Sequence, residues 1–422
     1  ISLTSSNLYR TRPAVELLNG SRVRRYRARA LVFWVILPLL AGCGEPMVSA
    51  IATPSGVNSS APNVGTDSTG NPILSWQRKE GDVTILEYSM FSKGSWSVPT
   101  EVARGKNWFV NWADIPAVQP VTKSFWAAHY LERTPGGQYA YDVKVRLSND
   151  GGRKWRDAGS PHQDGTFTEH GFVSLYADKD RLGLVWLDGR ETSPLASHEN
   201  DHAGHGGMTL RSASMDQEGR YSDRQQIDEL VCDCCQTAAL AVNDNPLVVY
   251  RDRTESERRD IASSRLHQGV WSTPQPLGKD GWQINACPVN GPSLVEEKGQ
   301  VAAVWFSGAN GEKSVFMARS NNGGKSFDKK IQINVAPALG RIASAIYPDQ
   351  SVLVVWLRKD KTGEADLVGR YISPENQLGE VLELVEVSPT RSSGFPKLVL
   401  SKSETILAWT DQSERTPQVK TG

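Results

Sequence analysis

Ser148-Asn149-Asp150-Gly151-Gly152-Arg153-Lys154-Trp155 follows the alternating run Tyr141–Leu147. Each residue type in it suits a turn. Asp or Asn bonds the turn backbone, glycine takes φ > 0, and the aromatic packs between strands. The segment reads as a turn between two strands. Ser320-Asn321-Asn322-Gly323-Gly324-Lys325-Ser326-Phe327 is a softer copy, and worn copies stand at Ser89…Gly94…Trp96, Ser214…Asp216…Gly219 and Ser264…Gly269…Trp271.

A recurring turn belongs to a repeat. An apolar run ending in an aromatic recurs with it: Ile73–Trp76, Ser124–Trp126, Leu184–Trp186, Val248–Tyr250, Ala303–Trp305, Val354–Trp356 and Leu407–Trp409, about 50 to 64 residues apart. A second apolar segment precedes each run, as at Phe172–Leu175. Strands at this spacing without helical periodicity mean an all-β repeat. Four strands per unit describe a β-propeller blade, and the runs count seven blades. The last unit, from Ser393, shows two strands and a third at Gln418–Thr421; a strand near Met47–Ala52 is expected to complete it and close the ring.

The two best turns resemble the Asp box, S-x-D-x-G-x-x-W, of sialidase-like propellers, carried by Ser148, Asp150, Gly152 and Trp155 and by Ser320, Asn322, Gly324 and Phe327. The resemblance covers nearly the whole chain beyond its N-terminal region. Familiar sialidases have six blades, so a six-bladed ring is the alternative to seven. The boxes mark the fold and lie away from the funnel. Retaining sialidases use an Arg cluster, a Tyr–Glu nucleophile pair and an Asp acid/base, with an Arg-Ile-Pro motif in the first blade. That motif is missing; the nearest is Arg341-Ile342-Ala343, far along the chain. No tyrosine matches the nucleophile, since Tyr250 occupies the buried aromatic slot of a second strand. Cys232-Asp233-Cys234-Cys235-Gln236-Thr237 and Cys287-Pro288-Val289-Asn290-Gly291-Pro292 look like those of a bacterial sialidase-like branch without an assured reaction.

The 47 Lys+Arg balance 47 Asp+Glu, but residues 1–42 contain seven Arg and one Glu, leaving 40 basic against 46 acidic residues, about −6, in the rest. Such a chain is not read as a nucleic-acid binder. Arg24, Arg25, Arg27 and Arg29 precede the apolar run Ala30–Leu39, and Leu40-Ala41-Gly42-Cys43 follows. A basic region, a short apolar core and small residues make a secretory signal, and the last four residues look like a bacterial lipobox. That implies cleavage before Cys43, its lipidation, and membrane anchoring, most simply at the outer membrane facing the periplasm. The expected organisation is 1–42 for an upstream extension and signal (with Val23 a plausible start), 43–65 for the lipidated Cys and a tether, and 66–422 for the propeller.

Blade topology sends first-strand starts and second-to-third loops to one end, around the funnel. Arg78, Arg133, Arg190, Arg251, Arg253 and Arg358 all follow second strands, and several could converge on a carboxylate. The candidate ligand-binding set is His170, Asp188, Arg190, Arg251, Asp252, Arg253, Arg259, Asp260 and Asn290. Solvated loop charge pinned by Arg–Asp pairs is the plainer reading. The cysteines of blades 4 and 5 also meet at this end. They suit structural disulfides, with Cys232 or Cys235 joined to Cys287 expected, or a copper or zinc rim of His198, His202, His205, Cys232, Cys234, Cys235 and Cys287. Three functions follow as expectations: an envelope lipoprotein binding a ligand, glycan or envelope protein at the funnel; an exo-sialidase-like hydrolase; or a periplasmic copper- or zinc-binding propeller.

Overall fold

A computed structural model describes residues 48–192, 207–359, 363–402 and 404–422. The expected export signal, Cys43, His198, His202 and His205 lie outside these residues.

Seven antiparallel sheets follow one another along the chain, each stepping outward from its first strand. The first strands are Ser59–Thr66, Ala117–Pro120, His170–Asp178, Ala238–Val242, Ser293–Glu297, Ala338–Ile346 and Lys397–Leu400. Each packs beside those before and after it, and the seventh returns to the first. The chain is a seven-bladed β-propeller, and the six-bladed alternative does not apply.

The second strands explain the apolar runs. A blade lies between two others, so its middle strands are buried on both faces and lose the alternation of a half-exposed sheet. Trp76, Trp186, Trp305 and Trp356 are at most 2% exposed.

The boxes tie neighbouring blades. The Ser148 hydroxyl accepts from the Gly152 N–H at 2.9 Å and bonds Asp150 Oδ1 at 2.8 Å, and that oxygen also accepts from the Lys154 N–H at 2.9 Å. Gly152 has φ 85°, and a Cβ there would stand 2.5 Å from the Tyr88 hydroxyl of blade 1. Ser320, Asn322 and Gly324 repeat the pattern against Leu247 of blade 4. The worn copies at Ser89 and Ser264 have shrunk to tight turns with two positive-φ residues, Lys93-Gly94 and Gln268-Gly269. They keep the anchor: Trp96 Nε1 donates to Thr421 Oγ1 of blade 7, and Trp271 Nε1 to Ser212 Oγ of blade 3.

Blade 7 has three strands of its own, and its outer edge is bridged at Ile51–Thr421 and Val57–Gln418. The Thr53 and Ser55 hydroxyls both donate to the Val419 carbonyl at 2.9 Å. The closing segment near Met47–Ala52 is thus present as a bridge rather than a strand. The tether expected through residue 65 stops short, because blade 1 begins at Ser59. Ser, Thr and Asn there suggest a linker, but their polar side chains serve an edge equally well.

Candidate functional site

First-strand starts and second-strand ends gather at one end of the ring. The central channel at that end is covered. The connection between blades 1 and 2, residues 106–116, reaches inward. Its Ala113 carbonyl accepts from Gln236 Nε2 of blade 4 at 2.7 Å. Trp112 stacks 5.6 Å from Phe395, before the first strand of blade 7, and the Arg341 guanidinium of blade 6 lies 5.2 Å above it. The arginine of the Arg-Ile-Ala stretch therefore lies over an indole. A loop has no periodicity, so nothing in the sequence but its aromatics (Trp108, Phe109, Trp112) signals this role.

Asp114 of the same connection helps hold a buried phenol. Tyr141 Oη lies 3.0 Å from Asp114 Oδ2 and 2.8 Å from Glu169 Oε1. A phenol has one proton to donate, so the second contact requires a protonated carboxyl. Burial pushes Asp114 up to about 7 and Glu169 up to about 8. Gly171 makes room for the trio; a Cβ there would fall 2.1 Å from Asp114 Oδ2. Tyr141 itself is fully buried and stacked 4.0 Å from Phe109.

His170, which follows Glu169 and is completely buried, meets a different group. Its Nε2 lies 3.2 Å from Asp164 Oδ2 and 3.7 Å from Asp188 Oδ1, and its Nδ1 3.8 Å from Asp142 Oδ1. His162 stacks flat on it at 3.8 Å. Burial, with His170 close by, lowers His162 to about 4. Arg190 grips Asp188 through two 2.7 Å hydrogen bonds, and Trp186 Nε1 donates to the same carboxylate at 2.7 Å. Burial opposes ionisation of Asp188, but Arg190, His170 and Trp186 hold its pKa below the usual range. The structure places His170, Asp188 and Arg190 of the candidate set side by side; His162 and Asp164, absent from that set, join them, their signal being a second histidine just before His170.

An open cleft of about 160 Å³ adjoins this group, lined by Gln163, Trp186, Arg190, Arg211, Ser212, Arg224 and Gln225. Burial and the nearby Arg190 charge both lower the pKa of Arg211. Like charges therefore crowd there.

The remaining candidates sit on blades 4 and 5, and most have internal work. Arg251 is 1% exposed and donates to the carbonyls of Asn290, Arg259 and Phe306 at 2.7–3.0 Å. Asp260 accepts from the Gly281 and Trp282 N–H groups, and Asn290 Oδ1 from the Arg341 N–H. Arg253 and Arg259 are shared between Asp233 and Glu257. Burial and Asp228 raise Asp252 to about 7. Arg78 pairs with Glu87, and Arg358 with Asp366 and Glu383. Arg133 donates to the Gln138 carbonyl. Converging arginines thus come from one cleft of blade 3, not from several blades.

The disulfide joins Cys234 to Cys287, with Cα atoms 6.0 Å apart, correcting the expected use of Cys232 or Cys235. Cys232 and Cys235 are buried thiols. That bond leaves two of the four sulfurs as thiols. Arg259 Nη1 lies 3.5 Å from Cys232 Sγ. Burial opposes ionisation there, but the Cys235 thiol and Arg259 bring Cys232 down to about 7.

No protein-family model and no curated protein matches the chain. Among solved structures, a polysaccharide lyase of the PL25 ulvan lyase family aligns at 10% identity with TM-score 0.51, over 89% of this chain and 93% of that one. The polysaccharide lyase Uly1 aligns at 9% identity and TM-score 0.50, over 88% and 91%. A Hadza microbial sialidase aligns at 15% identity and TM-score 0.45, over 81% and 74%. The likeness to the two lyases shows a shared fold alone.

Proposed function

We propose that the chain is a cell-envelope lipoprotein, anchored through Cys43, that binds an anionic saccharide in the cleft of blade 3. The crowding of Arg190, Arg211 and Arg224 carries this reading. Arg190 is held to Asp188 and Arg211 to Glu191, but burial and the Arg190 charge still lower the pKa of Arg211, so an anion bound in the cleft would favour its charged form. A carboxylate meets guanidinium bidentately, and the Gln163 and Gln225 amides suit sugar hydroxyls. The carbohydrate half of the proposal leans on the polysaccharide lyases that share the fold.

The test is calorimetric titration with glucuronate oligomers, sialyllactose and neutral lactose. Binding of an acidic sugar that weakens with salt, and at least about tenfold in Arg211→Gln or Arg224→Gln, is expected. Equal binding of lactose, or none by any acidic sugar, overturns it.

Sugar cleavage is a second reading with one observation in its favour. Tyr141 between Asp114 and Glu169 is a phenol with acid and base at hand. Turnover of a fluorogenic sialoside, abolished by Tyr141→Phe, would favour it; full burial of the phenol argues for binding alone.

A further inference from the structure

We propose that Asp164, His170 and Asp188 form a site for a divalent transition-metal ion, with zinc the best match. The site borders the cleft of the saccharide reading and shares Trp186 and Arg190 with it as supports, but none of its three ligands lines that cleft, and it uses neither the cysteines nor the histidine-bearing loop after blade 3's second strand.

Three observations carry it. First, one ligand atom from each residue lies within 4.8 Å of the other two. The Nε2–Oδ2 and Nε2–Oδ1 separations, 3.2 and 3.7 Å, bracket those on a four-coordinate ion, about 3.3–3.6 Å for bonds of about 2.0–2.2 Å. Second, His170 is 0% exposed and neither ring nitrogen makes a hydrogen bond among the described residues; Asp164 Oδ2 makes only ion-pair approaches, to His170, Arg190 and His162. A buried imidazole ordinarily finds at least one partner. Third, the other atoms of these side chains are already supported, as around metal ligands generally. Thr166 donates its N–H to Asp164 Oδ1 at 2.9 Å. Trp186 and Arg190 hold Asp188 Oδ2, both at 2.7 Å. Asp142 faces His170 Nδ1, the nitrogen left for a proton once Nε2 ligates.

His162 is a positioning ring. Its Nε2 accepts the Val143 N–H at 3.3 Å, which leaves the proton on Nδ1 and its lone pair occupied. Two carboxylates and a neutral imidazole suit a borderline dication. The ion shares these carboxylates with Arg190, whose Nε and backbone N–H donate to Asp188 Oδ1 at 2.7 and 3.2 Å and whose Nη2 stands 3.2 Å from Asp164 Oδ2. Three protein ligands leave a fourth position for water or a ligand atom.

The experiment strips the full chain with chelator, titrates zinc, and measures metal content and calorimetric affinity. One zinc per chain is expected, weakened at least tenfold in His170→Asn and Asp164→Asn and unchanged in a Cys232→Ser/Cys235→Ser double variant. Circular dichroism checks that each variant folds. Cadmium NMR of the unaltered protein reads the ligands directly, with a shift in the nitrogen/oxygen range expected. No stoichiometric zinc, zinc retained by folded His170→Asn, or a sulfur-range cadmium shift overturns the proposal.

Discussion

At the scale of residues, burial sets protonation. Asp114, Glu169 and Asp252 are pushed up by burial to about 7, 8 and 7. Their unfolded values lie near 4. Between about pH 4 and 8 the folded chain therefore keeps protons that the unfolded chain has released, and stability falls as pH rises. The buried His129 and His162, lowered by burial to about 3 and 4, act oppositely, but only below about pH 6.5. Cys232, brought to about 7 against its burial by the Cys235 thiol and Arg259, and Lys397, lowered by burial to about 8, also act oppositely, above about pH 7 and pH 8. The clean window is thus about pH 6.5 to 7. Tm is expected to fall across it, with Glu169→Gln removing much of the slope; a flat profile in the unaltered protein would contradict the assignment. Sequence reasoning reached His170, Asp188 and Arg190 because topology alone sends strand ends to one place. It could not distinguish Arg251, whose donors are spent on carbonyls, from Arg211 and Arg224, which line a cleft. A guanidinium's partners are set by tertiary packing, and neighbouring residues in sequence do not record them.

Elements read more clearly than side chains. The apolar second strands and the boxes were legible because burial on both faces and turn geometry each impose a local residue pattern. The cysteine pairing was not. Cys234 and Cys235 are adjacent, and which of two neighbours faces the next blade depends on the turn that carries them. The Cys-Pro-Val-Asn-Gly-Pro stretch illustrates how tightly blade 5 meets blade 4. The Gly291 N–H donates to Gln236 Oε1 at 3.0 Å, and a Cβ on Gly291 would stand 2.1 Å from the Gln236 carbonyl oxygen. Backbone cannot yield as a flexible side chain can. Gly291→Ala is expected to cost about 1–3 kcal/mol, read from urea unfolding. An unchanged midpoint would show that the two blades can separate there without loss.

For the whole molecule, seven similar sheets close into a ring only if something joins the first to the last. Residues 51–59 do so along the edge of Gln418–Thr421. Deleting residues 48–58 should lower Tm and expose blade 7 to early proteolysis, with first cuts between residues 397 and 422 detected by mass spectrometry. Cuts spread evenly over all blades would mean that the closure is not local. The ring was legible from seven spaced aromatics, because a repeat advertises itself at every copy. The covered channel was not, because one loop occurs once. The seam also has a bearing on timing. Thr53 and Val419, bonded across it, are 366 positions apart in the chain. One half of the clasp is therefore among the first parts of the propeller to be synthesised and the other among the last. No nascent chain can fasten the ring until Gln418–Thr421 has been made.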